Sequence, residues 1–224
     1  MIAQAALSAV SGHVVAGDSH TIVDELMNPA VMAAIWRQAW SPASLAFAAS
    51  VTQLPNVNVP YSPELYLVSS QAAFDARSND AFFADLGKIR SVFQDLAIKL
   101  LGSVDEFDYS RTEPALCDEV TGEASDWHID KMRLGLFSIP GGITTEYLDT
   151  NVDGRFDPLG IFSPNDPELA SASAKQLPND AALFMKCAQF HSDIISSYGL
   201  VHRRPTQRLE QFPDRGRVVI HIKV

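Results

Sequence analysis

Asp80-Ala81-Phe82-Phe83-Ala84-Asp85-Leu86-Gly87-Lys88-Ile89-Arg90-Ser91-Val92-Phe93-Gln94-Asp95-Leu96-Ala97-Ile98-Lys99-Leu100-Leu101-Gly102 is the stretch on which the fold turns. Phe82, Leu86, Ile89, Phe93, Leu96 and Leu100 recur at steps of three and four, the spacing that lines one face of a helix. Gly102 stands where a C-terminal cap glycine belongs. A helix is therefore predicted over 80–101. Upstream, Asn28-Pro29 and Ser41-Pro42 each join a capping residue to a first-turn proline. Two further helices are expected from them, one carrying Val31, Ile35, Trp36 and Ala39 on one face, the other running towards Leu54.

Downstream of Gly102 the pattern changes to short apolar runs separated by Gly, Pro, Asn and Asp. The expected strands are 107–112, 126–139, 144–148, 181–186, 200–203 and 217–224. In the last of these Val218, Ile220, Ile222 and Val224 share one face. Several short strands behind a helical layer predict an α+β chain, a double-sheet jelly roll buttressed by helices. The division is a lead-in over 1–27, a mainly helical part over 28–104 and a β-rich core over 105–224. No internal repeat marks a second domain.

The 224 residues suffice for one core, with 46% hydrophobic and 20% charged residues, an ordinary globular mixture. A formal net charge of −10 argues against a nucleic-acid partner, because phosphate binding needs a basic face. The charge is uneven: five Arg and one Lys against two acidic residues follow from His202 onward, which suits a pocket for a small anion. No apolar run is long enough to span a bilayer, and 1–17 lacks the basic residues of a secretory signal. Cys117 and Cys187 form no Cys-x-x-Cys pair, as expected of buried thiols in a reducing cytoplasm.

Trp127-His128-Ile129-Asp130 carries the chemistry. In a strand His128 and Asp130 point to the same side, which supplies two members of a 2-His-1-carboxylate triad. His202 lies in Leu200-Val201-His202-Arg203-Arg204-Pro205, and Arg215-Gly216-Arg217 opens the final run. His191, after Phe190, competes for the third place. Arg133 is a candidate contact for an anionic substrate, against a plain sheet-face arginine. Trp127 and Tyr147 read as core aromatics or pocket walls, and Arg203 and Arg204 as rim charges. His13, His20 and His221 have no partner in the sequence and read as structural or exposed. Asp149-Thr150-Asn151-Val152-Asp153-Gly154 matches half a calcium loop, but Gly160 stands where its bidentate Glu belongs.

The order His-x-Asp…His…Arg resembles the Fe(II)/2-oxoglutarate-dependent oxygenase superfamily over about 105–224. Trp127-His128-x-Asp130-x-x-Arg133-Leu134, Pro140-Gly141-Gly142-x-Thr144 and His202-Arg203-x-Pro205 are similar to a bacterial branch known only as a domain of unknown function. The resemblance implies a double-stranded β-helix, the cupin-like jelly roll. It implies iron on His128, Asp130 and His202, and 2-oxoglutarate anchored by Arg217, or else by Arg215. The expected activity is oxidation of a small molecule by O₂, with succinate and CO₂ as co-products. Two departures stand out. The family's Arg-x-Ser reads Arg217-Val218-Val219, and fifteen residues rather than about ten separate His202 from Arg217. A cupin-like metal protein without 2-oxoglutarate turnover and a zinc hydrolase or lyase are the alternatives.

Overall fold

In a computed structural model the residues described are 13–52, 80–102, 115–117, 126–142, 144–149, 152–157, 160–191, 199–203, 205 and 217–224. The chain mixes helices with three sheets. Eleven strands fall within these residues: β1 (His13–Gly17), β2 (Val31–Trp36), β3 (Ala115–Cys117), β4 (Leu134–Ser138), β5 (Glu146–Leu148), β6 (Gly154–Phe156), β7 (Phe162–Pro164), β8 (Ala174–Gln176), β9 (Ala182–Lys186), β10 (His202–Arg203) and β11 (Arg217–Lys223). The α-helices are α1 (Pro42–Thr52), α2 (Asp80–Leu101) and α3 (Pro167–Ser173), and a 3-10 helix spans His20–Met27. No helix among the described residues is long and apolar enough to cross a membrane.

The large sheet has the order β1-β2-β9-β4-β11-β3 and the second β10-β5-β8, while β6 pairs with β7. Every pairing is antiparallel except β1 with β2. His128 bridges His202 on one side and Ile161 on the other, and Phe162 N donates to the Trp127 carbonyl. The segment 127–129 thus joins the two small sheets into one layer. From β3 onward the chain passes repeatedly between the layers. β3, β4, β9 and β11 lie in the large sheet; 127–129, β5, β8 and β10 lie opposite.

α2 buries Phe82, Leu86, Ile89, Phe93, Leu96 and Ala97, as its periodicity predicts. Gly102 follows it at φ +83°. This face packs on one side of the large sheet, against Ala34, Trp36, Leu134, Leu136, Phe184, Val218, Ile220 and Ile222. The alternate residues Ala33, Ile35, Phe137, Leu183 and Met185 fill the other side with Tyr147, Leu177 and Leu200. A third cluster, including Trp127, Ile129, Leu148, Phe162 and Val201, lies on the far side of the small layer.

The helix expected to carry Val31, Ile35 and Trp36 is instead the strand β2, buried along its whole length. A six-residue apolar run covered on both faces has no alternation, so its residues satisfied a helical spacing by coincidence. Asn28 makes a turn, its side chain accepting from Ala30 N, rather than capping a helix. The lead-in contributes β1, paired in parallel with β2. The strand expected over 126–139 breaks at 131–133, where the chain crosses between layers. The run 107–112 lies outside the described residues.

Candidate metal centre

His128, Asp130 and His202 come together at one end of the space between the layers. Their ligand atoms all lie within 4.8 Å of one another. His128 Nε2 is 3.7 Å from Asp130 Oδ1, and His202 Nε2 is 3.6 Å from Asp130 Oδ2. Atoms each about 2.1 Å from one ion stand about 3.0 Å apart at right angles and about 4.2 Å apart when opposite. The separations of 3.7 and 3.6 Å are wider than the right-angle value, so the three donors suit a first-row divalent ion once they draw in by several tenths of an ångström.

Backbone carbonyls set the tautomers. His128 Nδ1 lies 2.8 Å from the Asp126 carbonyl, and His202 Nδ1 3.1 Å from that of Leu200. A carbonyl only accepts, so each Nδ1 donates and each Nε2 keeps its lone pair towards Asp130. This is the arrangement by which metal-binding histidines are oriented. The His128–His202 bridge holds the two rings 4.4 Å apart between centroids.

Ile129, between the ligand candidates, is pinned from behind. Its amide donates to the Gly160 carbonyl. At Gly199, φ +149°, a Cβ would come within 2.6 Å of Ile129 Cγ2. Only glycine allows this approach without moving the strand.

Asp130 is half-buried, and its desolvation by itself pushes its carboxyl up. Where His202, His221 and His128 are protonated, their positive charge outweighs that and holds it well below the usual carboxylate range. Cys187 is buried, and burial with the Asp130 charge raises its thiol well above the ordinary value.

His221 is the residue that sequence reading missed. Its Nε2 is 3.6 Å from Asp130 Oδ2, and its ring meets Phe137 edge-on with centroids 5.5 Å apart. A signal was present: Val218, Ile220 and Ile222 alternate on the helix side, so His221 faces the space between the layers. Tyr147 pairs with His202 across β5 and β10 and belongs to the inner core.

The other candidates lie apart from this group. His191 is exposed, its ring against Phe190. The Arg133 side chain is exposed too, while its backbone bonds Val224 and Cys187. Arg203 stacks on Trp127 at 4.0 Å and pairs with Glu146 at 2.8 Å, on the outer face of the small layer. Arg217 opens β11 in register with Cys117. Arg204 and Arg215 lie outside the described residues.

No protein-family profile matches the chain, and no curated protein matches it. Among solved structures, it is similar to dioxygenase for auxin oxidation 1 of Arabidopsis thaliana, in binary complex with 2-oxoglutarate. The identity is 15% and the TM-score 0.40, over 95% of this chain and 91% of that one. The dioxygenase for auxin oxidation of rice is similar at 14% identity and TM-score 0.37, over 95% of this chain and 82% of that one. At these scores the likenesses carry no argument, and the functional reading stands on the site.

Proposed function

We propose that this chain is an Fe(II)- and 2-oxoglutarate-dependent oxygenase of a small-molecule substrate. The observation that carries the reading is the convergence of His128, Asp130 and His202, with both Nε2 atoms turned to the carboxylate. The alternation of successive strands between two layers supports a double-stranded β-helix. Iron there would supply the activation of O₂ and the decarboxylation of 2-oxoglutarate.

The chain's own part is holding and orienting. Two imidazoles and one carboxylate leave three positions on an octahedral ion for cosubstrate and O₂. Arg217, four residues before His221 in the same strand, is the proposed anchor for the distal carboxylate of 2-oxoglutarate. A guanidinium suits that task because it pairs in a fork and stays charged. Phe137, Leu183 and Tyr147 give the interior an apolar lining, which keeps water from the reacting centre. Arg133 is the proposed contact for an anionic substrate at the exposed side.

The test is uncoupled turnover: Fe(II), ascorbate and 2-oxoglutarate with a panel of small acids, measuring succinate. Succinate formation that disappears in His128→Ala supports the reading. Iron binding without succinate, under every acid tested, refutes it. That result would favour a cupin-like metal protein without 2-oxoglutarate turnover, which the extra imidazole of His221 and the Val219 in place of a serine also suit.

A further inference from the structure

A fourth nitrogen approaches the centre from the opposite layer. The three candidate ligands stand on the small layer and the turn after it, whereas His221 stands on β11 of the large sheet. Its Nε2 is buried and makes no hydrogen bond among the described residues. A buried donor or acceptor left in that condition costs about 1–3 kcal/mol. Asp130 Oδ2 stands 3.6 Å from it, and a movement of roughly half an ångström makes a hydrogen bond. His221 is not among the donors that lie within 4.8 Å of one another, so its approach to the group is through the Asp130 carboxylate.

Asp130 has a choice that the histidines lack. It can bind an ion through one oxygen or through both, and the second mode uses a position that the cosubstrate or O₂ needs. Oδ1 faces His128 and Oδ2 faces both His202 and His221, so nothing in the triad itself selects between the modes.

We infer that His221 is a positioning residue of the metal centre, whose Nε2–H holds the second oxygen of Asp130 and keeps that carboxylate bound through one oxygen. The inference rests on the iron-site reading above. The edge of Phe137 fixes the imidazole plane, and the pairing of His221 with Phe137 across β11 and β4 fixes its height. The large sheet thereby reaches across the interior to set the ligand geometry of the small one.

Mn(II), a redox-stable stand-in for Fe(II), tests this without turnover. It is titrated into the parent, His221→Gln and His221→Phe, and the paramagnetic resonance signal of the free ion is followed. The parent should bind one ion. His221→Phe should bind about 10- to 100-fold more weakly, the usual effect of removing an outer hydrogen-bond partner. His221→Gln, which keeps an N–H at the same height, should stay within about threefold of the parent. Thermal unfolding of the metal-free proteins checks the fold, and His221→Met replaces His221→Phe where the latter does not fold. Equal binding by parent and apolar variant overturns the inference and leaves the metal site standing. Equal, strong loss in both Gln and Phe makes His221 a ligand itself and also overturns it. A parent that binds no Mn(II) removes the metal site and the inference together.

Discussion

The two sides of the large sheet are built on opposite principles. Towards the helices it presents Ala34, Trp36, Leu136, Phe184, Val218 and Ile220, and α2 answers with Phe82, Leu86, Ile89 and Phe93. Towards the small layer the same strands present Phe137, Leu183 and Met185, but also His221, which has no hydrogen-bond partner among the described residues. The first side, Lys186 and Ser138 apart, buries apolar area, so neighbours of similar size are tolerated. The second side places polar atoms at particular heights between the layers, where a buried unpaired one is expensive. Packing measures stability on one side; on the other, unmet polar valence marks the proposed site.

That contrast breaks most sharply at the ligands. Asp130→Ala and His128→Ala should abolish stoichiometric Fe(II) binding while the helix side keeps the chain folded; anaerobic metal titration with circular dichroism reads both. Full iron binding by His128→Ala would remove the site assignment. The converse change is Phe184→Ala, fully buried 6.3 Å from Phe93. It should destabilise by about 3–5 kcal/mol in denaturant unfolding and leave the metal affinity of the folded fraction unchanged. A large loss of affinity there would mean that the two sides are not independent.

A smaller effect tests the cosubstrate. Arg217→Met should raise the 2-oxoglutarate requirement at least about tenfold, since a charge-assisted pair contributes about 1.5–3 kcal/mol. Fe(II) binding should barely change. An unaltered requirement moves the anchor to Arg215 or Arg133.

The smallest effect sharpens the comparison through a charge on the helix side. Lys186 is buried, donates to the Asn28 carbonyl at 3.0 Å and lies over the Phe190 ring. Burial lowers its amine from the ordinary value. The folded state therefore sheds this proton before the unfolded chain does, and stability rises with pH between the lowered value and about 10.4. Lys186→Met should be about 1 kcal/mol more stable than the parent at neutral pH. That advantage should shrink as pH rises through the window. A pH-independent difference in unfolding free energy would contradict the burial argument.

Legibility divided along the same line. α2 and β11 were readable because each has one dry face and a clean period, 3.6 in one case and 2 in the other. β2 was not, since burial on both faces erases alternation. β3, β6, β7 and β8 are three-residue strands, too short to show any period; β3 and β8 pair with the more distant β11 and β5, while β6 and β7 pair with each other. His128 and Asp130 were conspicuous because they are two residues apart on one chain segment. His221 stands alone in the sequence, and its meeting with Asp130 is created by the register of β11 on β4 and by the spacing between layers.

That register has a consequence for how the molecule comes into being. Ala33 pairs with Met185, Leu134 with Lys186, and Lys223 with Gly135, so the large sheet closes only when segments from the whole length of the chain have met. Chains with such distant pairings fold slowly, because loop-closure entropy is lost before the contacts that offset it are made. His202 and His221 stand on β10 and β11, about 70 to 90 residues beyond His128 and Asp130, and until those strands dock the proposed donor set is incomplete. An ion at the proposed site would therefore bind only the finished fold, and by binding it would act as a latch on that fold.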